Sequence, residues 1–285
     1  MGLSFLVLTR NRREDLRRCL DSIISQAPAG APLLVLVNGT EDDTTEMLAR
    51  DYGHVRVEVQ AENLGCPGGR NLGIRLAETE WVMCVDDDGW LPEGSVEAAL
   101  DAISRVPSAA IIGGPVIEFP SERPTGDLQR TGLFTGGICV AHRGKFLSHG
   151  GYHEDGLRQG EESELAIRLA QGGEEIWHSP QMRLVHATDR SPEKRREIIR
   201  SGTRQAILTG IKYAPLRVLL PYLAIRWLSF AKVGVRWGIP MSVVKGSVDA
   251  FRLAVPTWRR RSPVSMRALL AVSGRFPSRD RHQPS

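Results

Sequence analysis

The stretch Trp81-Val82-Met83-Cys84-Val85-Asp86-Asp87-Asp88-Gly89 decides how this chain is read. Five apolar residues stop abruptly at three aspartates, the pattern of a buried strand that ends in a turn. Three adjacent carboxylates at a strand's end repel one another, and such a cluster is tolerable when a hard cation or several donors neutralise it. Alternate residues of an extended segment face the same side, so Asp86 and Asp88 are placed to share one ion while Asp87 faces away. Mg²⁺ or Mn²⁺ held by one or two carboxylates plus substrate phosphates suits that arrangement. A solvated acidic turn is the alternative, since Asp-Asp-Gly is good turn chemistry.

Outward from this stretch, short apolar runs alternate with helical spacing, the signature of βαβ units and a mostly parallel sheet. Strands are expected at 4–8, 33–37, 55–59, 81–85 and 109–113, with helices at 13–25, 44–51, 69–78 and 94–104. A loop rich in Pro, Ser and Glu at 119–127 leads to a strand at 134–141, a helix at 161–171 and closing strands at 174–178 and 182–186. From residue 191 the pattern turns to helices without strands. Pro192 opens a helix to about residue 213 and Pro215 marks its end. Leu216, Leu219, Leu220, Leu223, Trp227, Leu228 and Ala231 then form an apolar helical stripe. The last stretch, with Arg259, Arg260 and Arg261 and the Ser/Pro/Arg-rich end, is expected to fray. The expected division is 1–190 and a basic, mainly helical extension over 191–285.

Charge follows the same division. Residues 1–190 carry 18 Lys+Arg against 29 Asp+Glu, a net of −11, whereas residues 191–285 carry 19 against 4, a net of +15. A basic tail suits nucleic acid, anionic lipid or a polyanionic substrate, or is merely solvated; the acidic first part argues against a protein built wholly around nucleic acid. With 41% hydrophobic and 25% charged residues the 285-residue chain has a globular composition and is neither disordered nor collagen-like. The four cysteines, Cys19, Cys66, Cys84 and Cys139, form no CxxC pair and no zinc spacing, which favours a reducing, cytoplasmic setting over a disulfide framework. No signal peptide is expected, because the apolar stretch 3–8 is cut at Arg10 and has no basic residues before it. The stretch 216–235 is interrupted by Arg217, Pro221, Arg226 and Lys232 and reads as a poor membrane span.

Two further motifs lie upstream of the aspartates. Thr9-Arg10-Asn11-Arg12 follows the first strand, and Glu62-Asn63-Leu64-Gly65-Cys66-Pro67-Gly68-Gly69-Arg70-Asn71 precedes a helix. Glycines ahead of a helix allow close backbone approach, and the helix N-terminus with Arg70 makes an anion site. A Gly-rich loop alone is usually just a turn; its order relative to the other motifs gives it weight.

The ordered series Thr9-Arg-Asn-Arg12, Val37-Asn-Gly-Thr40, Asn63-Leu-Gly65, Gly69-Arg-Asn-Leu-Gly-Ile74, Asp86-Asp-Asp88, Thr135-Gly-Gly137 and Gly160-Glu-Glu-Ser-Glu-Leu-Ala-Ile-Arg168 resembles the family 2 glycosyltransferases over about residues 3–190. The resemblance implies the α/β GT-A (Rossmann-like) fold, a mostly parallel central sheet flanked by helices. It also implies an inverting transferase of the hexosyl or deoxyhexosyl class, using a nucleoside-diphosphate sugar and a divalent cation, Mg²⁺ or Mn²⁺. By the same resemblance Thr9, Arg10, Arg12 and Asn38 lie near the nucleotide, and Asn63, Gly69, Arg70 and Asn71 beside the donor. Asp86 and Asp87 belong on the ribose and diphosphate side, and Asp88, Asp86 and His186 at the metal, with Asp88 the preferred ligand. Thr135, Gly136, Gly137 and Glu161 would line the acceptor side, and Glu162 falls where the family places its catalytic carboxylate.

Each assignment has a plainer counterpart. Glu162 could be an acid complementing a helix dipole, and a lone histidine such as His186 is more often structural. Trp90 and Tyr152 are candidates for stacking on a sugar or base and equally for local packing. His153, Glu154 and Asp155 sit in the loop before Glu161 and are candidates for touching the acceptor. The family usually has an Asp where this chain has Val37, so uridine does not follow and thymidine or another base is open. Processive synthases carry Gln-x-x-Arg-Trp, but Leu223 and Val233 stand where Arg226-Trp227 and Arg236-Trp237 would need Gln, which favours transfer of a single sugar. Alternatives from other classes are a catalytically silent sugar-nucleotide or membrane-scaffold protein and a sugar-phosphate nucleotidyltransferase; the latter expects a Gly-rich loop where Thr9-Arg10-Asn11-Arg12 stands. The acceptor, a lipid-linked glycan, a polysaccharide precursor or a small natural product, is not specified, and an oligomer is open. The basic tail's stripe suggests peripheral contact with the cytoplasmic face of an anionic membrane.

Overall fold

The computed structural model describes residues 2–118, 125–153, 160–186 and 191–272. Glu154 and Asp155, most of the loop at 119–127, and the chain end after residue 272 lie outside the described residues.

Strands β1 (Leu3–Thr9), β2 (Leu33–Asn38), β3 (Arg56–Gln60) and β4 (Trp81–Asp86) alternate with helices α1 (Arg13–Ile24), α2 (Thr44–Asp51) and α3 (Gly65–Leu76). After the two-residue β5 (Gly89–Trp90) come α4 (Ser95–Arg105), β6 (Ala109–Gly113), β7 (Val116–Glu118), β8 (Gln129–Thr131), β9 (Ile138–His142), α5 (Arg143–Ser148), α6 (Glu161–Gln171), β10 (Glu175–His178) and β11 (Leu184–His186). The main sheet runs β3-β2-β1-β4-β9-β6-β10-β8, and a small second sheet runs β5-β11-β7. β1 lies parallel to both β2 and β4, whereas β9 is antiparallel to both β4 and β6. The sheet is therefore parallel in its first half and mixed beyond.

Period-two alternation divides the sheet's side chains between two cores. Phe5, Val7, Val35, Val37, Met83 and Val85 face α1, α2 and α4, while Leu6, Leu34, Leu36, Val82 and Cys84 face the opposite side. On that second side Ile74 of α3 and Leu165, Ile167 and Leu169 of α6 complete the layer. The glycine-rich segment is not a loop before a helix: α3 starts at Gly65, so Gly68 and Gly69 are inside it. Side chains at Gly69 and Gly73 would run into Leu8 and Leu6 of β1, so the glycines let the helix lie close on the strand. The strand expected from residue 134 starts at Ile138, because the preceding Thr135-Gly136-Gly137 turns into the crevice.

The C-terminal part is helical: α7 (Pro192–Tyr213), α8 (Leu216–Arg236), α9 (Pro240–Arg259) and α10 (Met266–Ala271). Tyr213, Val264, Ala268 and Leu269 belong to the same core as Leu165 and Ile167 of α6. Arg259 to Arg261 do not fray: α9 runs to Arg259, and Arg261 donates to the carbonyls of Ile211 and Ala214 at the end of α7. Nor is the apolar stripe of α8 buried as a core face; among its residues only Gly234 is fully buried.

Lys212 of α7 reaches Glu164 of α6 at 3.1 Å, with 12% and 8% of the two side chains exposed. Removing one partner of a buried ion pair leaves the other charge uncompensated. We expect Lys212→Met to lower stability in urea unfolding by about 3 kcal/mol, and the double variant Lys212→Met/Glu164→Leu to recover much of the loss.

Candidate active site

β1, β2 and β4 end along one edge of the sheet, where the strand order β3-β2-β1-β4 reverses direction between β1 and β4, and open α/β sheets place their ligand crevice there. Thr9, Asn38 and Asp86 are the last residues of these strands. Asn11 follows Thr9 in the left-handed backbone region (φ 54°) and accepts from the Glu41 amide at 2.8 Å and from the Thr40 hydroxyl at 2.9 Å. That turn aims Arg12 across the crevice, where its Nη1 donates to Asp87 Oδ1 at 2.8 Å and to Asp88 Oδ2 at 2.5 Å. Arg10 turns away and donates to the Gly39 carbonyl at 3.1 Å.

Asn38 holds the start of α3. Its Nδ2 donates to Asn63 Oδ1 and the Gly65 carbonyl, each at 3.1 Å, and its Oδ1 accepts from the Leu64 amide at 2.9 Å. Asn71 is committed elsewhere: it is buried, donates to the Tyr152 carbonyl at 2.7 Å and accepts from the Tyr152 amide at 2.8 Å. Tyr152 is buried edge-on to Phe146, and the Arg18 guanidinium covers the Trp90 ring. Both aromatics are engaged in packing.

Arg70 is the pivot of the site. Only 6% of its side chain is exposed; Nη2 donates to Asp86 Oδ1, and Nη1 lies 3.8 Å from Glu162 Oε1. Glu162 is the second residue of α6, directly after Gly160 (φ 105°) and Glu161. Glu161 is buried, and its Oε2 has no hydrogen-bond partner among the described residues. Gly136 lies against the Arg70 and Glu162 side chains, where any Cβ would collide with Glu162 Oε1 and Arg70 Nη1. The Gly137 carbonyl accepts from the Asp86 amide at 2.9 Å. Thr135 turns its hydroxyl to the Gly114 carbonyl at 2.5 Å.

The electrostatics divide the carboxylates. Burial, then the neighbouring Glu161, push the Glu162 carboxyl up to about 7 against the pull of Arg70. Burial likewise raises Asp87 to about 6 although Arg12 opposes it. Burial acts on Asp88 in the same sense, but His186 and Arg12 outweigh it and hold that carboxyl below its usual value. His186 is raised by its contact with Asp88.

The small sheet explains that contact. β11 pairs with β5 so that His186 stands opposite Gly89, and His186 Nε2 lies 2.8 Å from Asp88 Oδ1. Among the described residues no three His, Cys, Asp or Glu side chains gather into a ready cation cage. A Mg²⁺ or Mn²⁺ that takes most of its ligands from diphosphate and water asks for only one or two protein donors, and Asp88 with His186 fits that requirement.

Sequence reasoning missed two groups. Arg168 of α6 donates to the Gly151 carbonyl at 2.5 Å, and Tyr213 Oη lies 3.1 Å from His153 Nε2. His153 thus meets α7, a contact across 60 residues that no local pattern announces.

The sequence model of glycosyl transferase family 2 matches residues 4–158. An uncharacterized glycosyltransferase of Escherichia coli K12, YibD, is 34% identical over 89 residues, 30% of this chain and 26% of that protein. The chain matches between 16% and 30% of the length of this and other curated relatives. In three dimensions it resembles Staphylococcus aureus TarS residues 1–349 (TM-score 0.61, 18% identity, 90% of this chain and 81% of that one). It also resembles the mannosyltransferase PcManGT of Pyrobaculum calidifontis, solved with GDP-Man and Mn²⁺ (TM-score 0.62, 16% identity, 95% and 78%). The fold is that of the GT-A transferases.

Gly136→Ala should displace Glu162 and Arg70 together and lower turnover about 100-fold, the scale set by an ångström of misplacement, with little change in melting temperature. A variant with near-normal turnover would show that the two side chains need not meet at Gly136.

Proposed function

The chain belongs to glycosyl transferase family 2, and from that premise we propose that it moves a single sugar, with inversion, from a nucleoside-diphosphate sugar to an acceptor hydroxyl. The observation that carries this reading is the convergence of Glu162, Arg70 and Asp86 behind Gly136-Gly137 at the sheet's ligand-binding edge. Glu162 is the general base. A carboxylate whose proton affinity is raised toward neutrality is a stronger proton acceptor than an ordinary glutamate and is still substantially ionised at the pH of the cell.

As the acceptor oxygen bonds to the anomeric carbon, its proton passes to a Glu162 carboxylate oxygen and the bond from that carbon to the diphosphate breaks. The electron pair leaves with the nucleoside diphosphate. Asp88 and His186 would hold the divalent cation, which neutralises charge developing on that leaving group. Arg70 keeps Asp86 and Glu162 apart in charge and together in space, and Asp86 faces the donor. Arg12, beside Asp87 and Asp88, borders the nucleotide side.

The neighbours' ligands support the donor class: TarS was solved with UDP-GlcNAc and PcManGT with GDP-Man and Mn²⁺. We infer a UDP- or dTDP-sugar; Val37, buried at the end of β2, offers no carboxylate to a base. A glycan, lipid-linked or small-molecule hydroxyl is the acceptor. Buried Cys84 and Cys139 face each other across β4 and β9.

Glu162→Gln should abolish transfer while nucleotide-sugar binding, followed by thermal shift, persists; normal turnover would remove the assignment. Because the base works deprotonated, kcat/KM of the wild type should fall as pH drops below about 7 and level off above it. Arg70→Leu deletes the cation that opposes this shift, so the acid limb of any residual activity should move to higher pH.

A further inference from the structure

α8 and α9 carry a surface that the transferase chemistry does not use. Both helices pack their inner faces on α7: Gly246 of α9 sits against Thr203 and the Arg200 carbonyl, and Phe230 of α8 sits against Gly202. Their outer faces are uncovered among the described residues. On α9, Met241, Val244, Val248, Phe251, Val255 and Trp258 recur at three- and four-residue steps, and all are exposed, Phe251 at 81%. On α8, Leu216, Leu220, Trp227, Leu228 and Val235 are likewise exposed, Leu220 at 77%. Soluble surfaces rarely carry so continuous an apolar face without a partner.

Charge identifies the partner. Lys245, Arg252 and Arg259 recur every seven residues along one border of the α9 stripe, and α8 adds the exposed Arg217, Lys232 and Arg236 with no Asp or Glu. The acid of α9, Asp249, is taken by Arg200 at 2.5 Å and is only 3.9 Å from Arg252 at its nearest, which leaves the row of cations with one shared carboxylate. A second copy laid on this face would bring like charges together with no further carboxylates to pair them. An anionic surface supplies the missing countercharge, and Trp227, Trp237 and Trp258 are residues suited to a headgroup boundary.

We propose that the outer face of the α8–α9 pair docks on an anionic lipid bilayer, with both helices lying in the plane of the interface. α8 is long and apolar enough to cross a membrane, at a mean hydropathy of 1.4 over its most apolar window. Its inner face is nevertheless engaged with α7, and a spanning helix would have to carry Arg226 and Lys232 through the hydrocarbon. A small cavity lies between α8 and the catalytic helix, lined by Tyr222, Arg226 and Phe230 on one side and Gly160 and Ser163 on the other.

The docking does not rest on transfer chemistry, and its test separates the two. The full chain should float with phosphatidylglycerol-containing vesicles at low salt and bind phosphatidylcholine vesicles far more weakly. Replacing Lys245, Arg252 and Arg259 together with Gln should weaken binding about 100-fold, and Phe251→Ser with Val255→Ser at least about 10-fold. Both variants should keep the wild-type melting temperature and the wild-type rate of nucleoside diphosphate release from a soluble donor. Absence of vesicle binding at low salt, binding unchanged in both variants, or a concentration-dependent dimer that the Phe251/Val255 variant dissolves would each overturn the proposal.

Discussion

A guanidinium buried between two carboxylates is the constraint around which this site is built. Arg70 touches Asp86 at the end of β4 and stands near Glu162 at the start of α6, two residues 76 positions apart in sequence. A buried cation of this kind is tolerated only where anions meet it, and anions so close to each other are tolerated only because the cation is there. The pairing therefore fixes the sheet edge, the first turns of α3 and the N-terminus of α6 relative to one another. It also leaves Glu162 part-neutralised, so that burial and Glu161 set how tightly the carboxyl holds a proton.

Around that pivot the backbone does the positioning. Asn11, Asn38 and Asn71 each use a side-chain amide to replace a backbone partner, tying the loop after β1 to that after β2, the start of α3 to β2, and the segment before α6 to α3. These are short, rigid connections, so the charged groups they carry need little reorganisation when a ligand arrives. Asp88 and His186 come together by a different route, through the register of the small sheet rather than through a loop.

Much of the parallel half of the fold is legible in the sequence because β1, β2 and β4 are nearly continuous apolar runs and β3 alternates apolar and polar residues. The site's carboxylates stand out by position: Asp86 to Asp88 stop an apolar run abruptly, and Glu161-Glu162 open a helical pattern after a glycine. What could not be seen is who meets whom. Arg70 reads as an anion-binding residue beside a glycine loop, yet it is buried inside a helix that begins at Gly65, because Pro67 is at home in a first helical turn and Gly69 and Gly73 fit the close contact with β1. Asn71 reads as a donor contact, and its commitment to Tyr152 depends on a chain reversal far downstream. The stripe of α8 has the right period for a core helix, and periodicity does not tell an apolar face that is covered from one that is not.

The second core, on the side of the sheet that carries α6, closes with residues from both halves of the chain. Leu165, Ile167 and Leu169 are covered in part by Tyr213, Val264, Ala268 and Leu269. During synthesis the sheet and α6 emerge first, and they must wait, with an apolar face open, for a segment some hundred residues later at about 5–20 residues per second. The nascent protein passes through several seconds in which α6 has no roof. The interval is a window for chaperone capture, and it makes α10, rather than the first strand, the element whose arrival completes this core.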